Sequence, residues 1–276
     1  MRDALARLIR SPLAVCGLLL FGGLLAVAAL APLIATRDPI SFDVRDALQG
    51  PTPAHPFGTD ELGRDIFSRV VWGSRLAVRL GVLSVVVAAG GGVVLGLVSG
   101  YYGGWLDSLI SRLLEVVLAF PGLLFAIAIV AILGPGLDNL IVALGLFGWP
   151  GYARLVRGSV LSTRERDYVE AARAVGARAR RIMARHILPN VVAPVIILSA
   201  TRFGGALLAG SGLSFIGLGV PIPEPEWGAI MATGREYMGS AWWITVFPGA
   251  VIALAVLGVN LLGDGLRDVL DPRLRA

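Results

Sequence analysis

Long apolar runs, uninterrupted by charge, organise the chain. Residues 11–36, 80–106, 116–137 and 237–263 contain no Asp, Glu, Lys or Arg. A shorter run, 139–153, reaches spanning length with Leu137 included and ends at Arg154 and Arg157, and a sixth, about 190–216, is broken only by Arg202. A helix needs about 20 largely apolar residues to cross ~30 Å of hydrocarbon, and in lipid only helices and closed barrels pair all their backbone groups. The pattern therefore predicts an all-α, polytopic membrane protein with six transmembrane helices. The first run follows Arg2, Arg7 and Arg10, as a secretory signal would, but its block Leu13–Ala35 holds 23 residues, against ~7–15 for a signal core. It is expected to be a retained helix. Gly92, Gly96 and Gly100 repeat every four residues in the second run, a smooth stripe against which a neighbouring helix can pack closely.

Composition supports this solvent. Of 276 residues, 56% are hydrophobic and 16% charged, with a mean hydropathy of +0.78, whereas soluble domains are closer to a quarter charged. All 24 basic residues are arginines, so no phosphate-binding loop of the G-x-x-x-x-G-K-[ST] type exists in the chain. Cys16 is the single cysteine, which leaves no internal disulfide and no cysteine metal cluster, and the only histidines, His55 and His186, lie far apart. The net charge of +5 resolves into topology. With the N-terminus inside, fifteen arginines fall on cytoplasmic segments, nine of them from Arg154 to Arg185, against six outside, as the positive-inside rule requires. Both termini are expected to be cytoplasmic. No basic patch is interleaved with base-stacking aromatics, so nucleic acid is not an expected partner.

The longest cytoplasmic segment, about 161–190, is rich in charge. Ser162 and Glu165 have the spacing of a capping box, which predicts a short helix starting there. Ala171, Ala172 and Ala174 favour helix, Gly176 allows a break, and Pro189 suits the first turn of the next span. A pair of short helices across the cytoplasmic face would result, able to pass a push from a soluble partner into the membrane helices. The same segment could equally be a basic anchor at the headgroups.

Sequence motifs favour the first role. Glu170-Ala171-Ala172, Gly176 four positions on, and Leu188-Pro189 resemble the EAA loop of ABC importer permeases, E-A-A-x3-G-x9-I-x-L-P. The stretches from His55 to Arg69 and from Gly263 to Arg273, together with Leu213–Gly219 and Glu226-Trp227-Gly228, are similar to the dipeptide/oligopeptide branch of that family, including the extra N-terminal helix of its C-type subunit. The resemblance implies a type I ABC importer permease (MetI-like) fold, with residues 1–75 as N-terminal tail, first helix and extracytoplasmic segment, and 76–276 as a permease core of five spans. It implies a homologous second permease, two ATP-binding subunits or domains that hydrolyse ATP with Mg, an extracytoplasmic substrate-binding protein, and a bacterial-type cell membrane. It also implies alternating access without covalent chemistry or a bound cofactor in this chain. Glu170, Ala171, Ala172, Gly176, Leu188 and Pro189 inherit the ATPase-coupling role by position, and Arg173, Arg178 and Arg181 are added as charges placed either to reach an acidic partner surface or to anchor the loop at the headgroups. Relatives of this branch carry dipeptides, longer peptides, nickel chelates, glutathione or haem. A transporter driven by an ion gradient is the rival from another class, and it should show internal repeats, which the sequence lacks.

Isolated charges complete the picture. Arg202 falls near the middle of the fifth span, where an unpaired charge costs ~2.5 kcal/mol or more. It should line the translocation path and meet an anionic group of the substrate, or pair with an acid of a partner permease. Arg112 and Glu115 share a helical face and are expected to pair, with Pro121 bending their span. His55, Asp60, Glu61 and Asp65 are expected to belong to a capped outer helix rather than to a metal site. Pro221, Pro223 and Pro225 mark a stiff outer loop before Trp227.

Overall fold

A computed structural model describes residues 11–270. The described helices are α1 (Pro12–Ile34), α2 (Ile66–Tyr102), α3 (Gly104–Leu118), α4 (Gly122–Leu133), α5 (Leu137–Thr163), α6 (Asp167–Ala174), α7 (Ala179–Ile182), α8 (Leu188–Phe215), α9 (Trp227–Gly234) and α10 (Trp243–Leu270). A single π turn, Met183–Ile187, joins α7 to α8 as one rod of 37 residues, Ala179–Phe215.

Four helices, α1, α2, the α7–α8 rod and α10, are long and apolar enough to cross a bilayer, and α3 with α4 forms a further span bent by 88°. Helix α5, 27 residues long, runs alongside α2 but is not itself among the helices apolar enough to span by length and composition. Glycine sets that pairing. A Cβ on Gly96 would lie 2.6 Å from the Ala153 carbonyl oxygen, one on Gly100 2.8 Å from Val160 Cβ, and one on Gly92 would collide with Tyr152. The four-residue stripe therefore lets two parallel helices approach to backbone contact. Gly145 and Gly148 of α5 return the fit, with Val87 Cγ1 and Ala88 Cβ 2.6 and 2.8 Å from the positions their Cβ atoms would take.

The third span differs from expectation. Instead of a bent helix over 116–137, the chain turns at Gly103 and Gly104, both at positive φ, rises as α3, breaks at Ala119–Pro121, and resumes as α4, which at 12 residues covers only ~18 Å. Pro121, whose φ is −59° and ψ 128°, breaks the helix outright instead of bending it. Arg112 and Glu115 stay exposed on α3 and form no ion pair within the described residues. The charge that anchors α3 is Asp107, which receives Arg157 Nε at 2.6 Å and Nη2 at 2.7 Å, and also the Ser99 hydroxyl. One carboxylate thus ties α2, α3 and α5 together at one end of the bundle.

At the other end α2 continues far past the membrane requirement, since 37 residues make ~55 Å. Its N-terminus is the capped helix expected outside. Asp65 Oδ2 accepts from Ser68 N at 2.8 Å, and Asp65 Oδ1 lies 2.9 Å from His55 Nδ1. Asp60 accepts from Arg64 Nε at 2.6 Å and from the Arg64 amide at 2.9 Å, while Arg69 Nη1 donates to the Pro39 carbonyl at 3.1 Å. Trp227 and Trp243 lock the outer layer with indole hydrogen bonds of 2.9 Å to Val70 O and 3.0 Å to Thr59 O.

Candidate functional site: a docking helix and a mid-depth cavity

The coupling segment starts later than its sequence suggests. Helix α5 runs on to Thr163, and the Ser162 hydroxyl donates back to the Ser159 carbonyl at 3.0 Å, so the expected capping box does not form. Ser162 lies within the last turn of a longer helix and has no free amide to cap. Helix α6 begins at Asp167, with Asp167 and Glu170 in its first turn, where negative charge offsets the positive end of the helix dipole. Of the expected pair of short helices only α6 stands alone; α7 is the foot of the fifth span.

Residue size and backbone conformation decide which face of α6 looks outward. Val169 and Ala172 are 0% and 9% exposed, packed with Val156 and Val160 of α5 and with Ile182, Ile187 and Val191. Glu170, Ala171 and Ala174 are exposed on the opposite side. The two alanines therefore have opposite tasks: Ala172 seats the helix, and Ala171 keeps the outer face flat. Gly176 has φ +76°; its amide donates to Arg173 O at 2.9 Å, and the Ala177 amide to Ala172 O at 3.0 Å. This pair of bonds is a Schellman stop, which favours glycine at that position, and it turns the chain sharply back towards α7. Leu188 is half-buried, and Pro189 sits in the first turn of α8, where its missing N–H costs little. Arg173 is folded back over the Tyr101 ring, 5.5 Å from its centroid, so its charge is less extended than expected. Arg178 and Arg181 remain exposed.

Arg202 and the coupling residues lie in different parts of the molecule, connected by the α7–α8 rod. Phe203 packs against Gly81, where a Cβ would lie 2.5 Å from the ring, and this contact turns Arg202 towards α5. The Arg202 guanidinium comes within 2.5 Å of where a Gly151 Cβ would stand. None of the ion pairs among the described residues involves Arg202. It borders a cavity of about 210 Å3 between α2, α4, α5 and α8, walled by Ala88, Gly122, Gly148, Gly205 and Ala206 among others. A wider cavity of about 950 Å3 also carries arginines: Arg79 is paired with Asp138 at 2.7 Å, Arg75 stacks on Trp72, and Arg37 lines it as well.

The outer cap of α9 holds a group that sequence reasoning passed over as part of a motif. Glu226 accepts from the Ala229 amide at 2.8 Å and from the Ser211 hydroxyl at 3.4 Å. Burial pushes its carboxyl above the ordinary range, against the pull of those hydrogen bonds.

Comparison with known proteins accounts for both ends of the chain. Residues 92–276 match the family described as binding-protein-dependent transport system inner membrane component, and residues 1–51 match the N-terminal TM domain of oligopeptide transport permease C. The dipeptide transport system permease protein DppC of Alkalihalophilus pseudofirmus is 45% identical over 275 residues, covering 100% of this chain and 90% of that one. The glutathione transport system permease protein GsiD of Pectobacterium atrosepticum is 44% identical over 276 residues, covering 100% and 92%. The di/tripeptide transport system permease protein DppC of Pseudomonas aeruginosa is 45% identical over 267 residues, covering 94% and 88%. Among solved structures, the MetNI methionine ABC transporter in an inward-facing conformation superposes with a TM-score of 0.57 at 20% identity, over 75% of this chain and 97% of that one, which shows the type I permease fold. The chain belongs to the family of inner membrane permease components of binding-protein-dependent ABC transport systems.

Proposed function

We propose that this chain forms half of the translocation path of an ATP-driven importer of di- and oligopeptides. A homologous second permease supplies the other half, two ATPase subunits or domains dock on the cytoplasmic face, and an extracytoplasmic binding protein delivers substrate. Both termini lie in the cytoplasm. ATP and Mg are handled by the partners, since the chain has no lysine for a phosphate loop, and it catalyses no covalent step itself. The observation that carries the proposal is the seating of α6. Val169 and Ala172 fix the helix to α5 and α8, and the Gly176 stop holds its end, so Glu170, Ala171, Arg178 and Arg181 present a rigid outward surface for an ATPase groove. Two states must bind nucleotide and substrate differently for one to drive the other, and a rigid docking helix is the mechanical link.

Arg202 lines the path and meets an anionic group of the substrate. Relatives named for dipeptides and for glutathione are almost equally similar. Glutathione is itself a small peptide with free carboxylates, so an unpaired arginine suits either cargo.

Co-expression with the partner subunits tests the proposal. An ATPase and a second permease should purify with this chain, and reconstituted vesicles should take up a radiolabelled tripeptide only with ATP and binding protein present. Glu170→Gln should leave assembly intact and abolish substrate stimulation of ATP hydrolysis. Full transport by the chain alone under an ion gradient would overturn the assignment. Arg202→Leu transporting at the wild-type rate would remove Arg202 from the path.

A further inference from the structure

The mid-depth cavity contains a second polar group besides Arg202. Ser84 of α2 lines it, is 3% exposed, and its Oγ has no hydrogen-bond partner among the described residues. Several helical hydroxyls in this chain return to their own backbone, as Ser159 does to Leu155 O at 3.0 Å and Ser199 to Val195 O at 2.8 Å. That local bond is the default for serine in an apolar helix. Ser84 forgoes it and leaves a buried hydroxyl unsatisfied, a cost seldom carried without a ligand or water to meet it. Ser214 Oγ and Thr245 Oγ1 are also without a partner among the described residues, but neither lines the cavity that holds Arg202.

We propose that Arg202 and Ser84 together form a subsite for the substrate's terminal carboxylate, the guanidinium supplying charge and the hydroxyl a second donor. The proposal rests on the assignment of the chain as a peptide permease. Chemistry and size point the same way. Guanidinium matches a carboxylate in charge and in planar fork geometry, and near the bilayer middle an unpaired arginine needs an anionic or well-hydrated partner. The rest of the lining is apolar, small glycines and alanines together with Val85, Leu123, Leu144 and Phe147, and about 210 Å3 is below the ~300–1,000 Å3 of sites that engulf a whole small-molecule ligand. The space takes one end of a peptide and leaves the remainder to the partner permease. Because every unmodified peptide ends in a carboxylate, such a subsite holds cargo without reading its sequence.

The experiment uses the purified complex of this chain with its partner permease and ATPases, and trialanine and its C-terminal amide as probes. Equilibrium binding of labelled trialanine is measured without binding protein, with the amide as competitor. Wild type should prefer the carboxylate over the amide by at least ~10-fold, the scale of a lost charged hydrogen bond. Ser84→Ala and Arg202→Leu should each weaken trialanine binding by ~10-fold and erase the preference, while Arg202→Lys keeps part of it. Subunit composition and melting temperature, which a merely structural role would change, should stay at wild-type values. Equal binding of acid and amide by the wild type, or an undiminished preference in both variants, overturns the subsite. Vesicle uptake of trialanine by the wild-type complex separates the two levels: uptake without carboxylate preference removes only the subsite, and absence of ATP-dependent uptake removes the peptide assignment beneath it.

Discussion

The outer segment before α2 and the loop around α6 are both crowded with charge, and they use it in opposite ways. At the start of α2, Asp60, Arg64, Asp65 and Arg69 are each no more than 3% exposed and are held by neighbouring side chains or by backbone, with Arg69 Nε left without a hydrogen-bond partner. Around α6, Glu170, Arg178, Arg180 and Arg181 are exposed, and among the described residues of that loop the one ion pair is Arg164 with Glu165 at 4.0 Å. Buried charges are costly to strand, whereas exposed ones contribute little until a partner arrives. The set at α2 therefore serves folding, and the set around α6 is free to serve contact.

Mutations should separate the two regions sharply. The largest stability loss is expected for Asp60→Ala, which leaves buried Arg64 with only Glu61, at 2.9 Å, and Arg69 without its nearest carboxylate, 3.8 Å away. A cost of ~3–5 kcal/mol should appear as a collapse in yield and in the melting temperature of the detergent-solubilised complex. Gly96→Val comes next, at ~1–3 kcal/mol, because a side chain there must push α5 off α2; the same assay reads it. Gly176→Ala should cost ~1 kcal/mol, as a non-glycine residue is held at positive φ, and should lower substrate-stimulated ATP hydrolysis more than it lowers melting temperature. Arg178→Ala with Arg181→Ala should change stability by under ~0.5 kcal/mol while weakening retention of the ATPase on a purification column. If the double variant melted as badly as Asp60→Ala, the contrast between the regions would be wrong.

A pH test sharpens the same contrast at the outer face. Because the folded-state carboxyl of Glu226 is raised above its unfolded value by burial, the folded protein holds its proton more tightly. Its contribution is fully present below the unfolded value and falls as pH rises through the folded one. Glu226→Gln should flatten that decline in melting temperature.

Legibility in the sequence followed the same division. The spans α1, α2 and α10 stand out because unbroken apolar runs have few other uses, and α5 is findable from Leu137 and the arginines that end it. Helix α3 escaped because Asp107, Arg112 and Glu115 lie inside it and cut its apolar run. Ser162 and Glu165 misled because local spacing cannot say whether the preceding helix has already ended. Gly176 was legible as a break, and the positive φ gives the reason. The pairing of His55 with Asp65 was hidden because the two lie ten positions apart along irregular chain. Ser84 carried no signal at all, since a lone serine in an apolar helix acquires meaning only when three other helices close a cavity around it.

Helix α2 has a mechanical consequence. Asp65 fastens its N-terminal tip, and near its C-terminal tip the Gly100 carbonyl is gripped by Arg164 at 2.9 Å, so one unbroken beam of ~55 Å is held at both ends. A tilt of ~5° about one end of such a beam displaces the other by ~5 Å. A push on the Asp65 tip would then be felt at the Arg164 tip as leverage, with no relay of side chains between them.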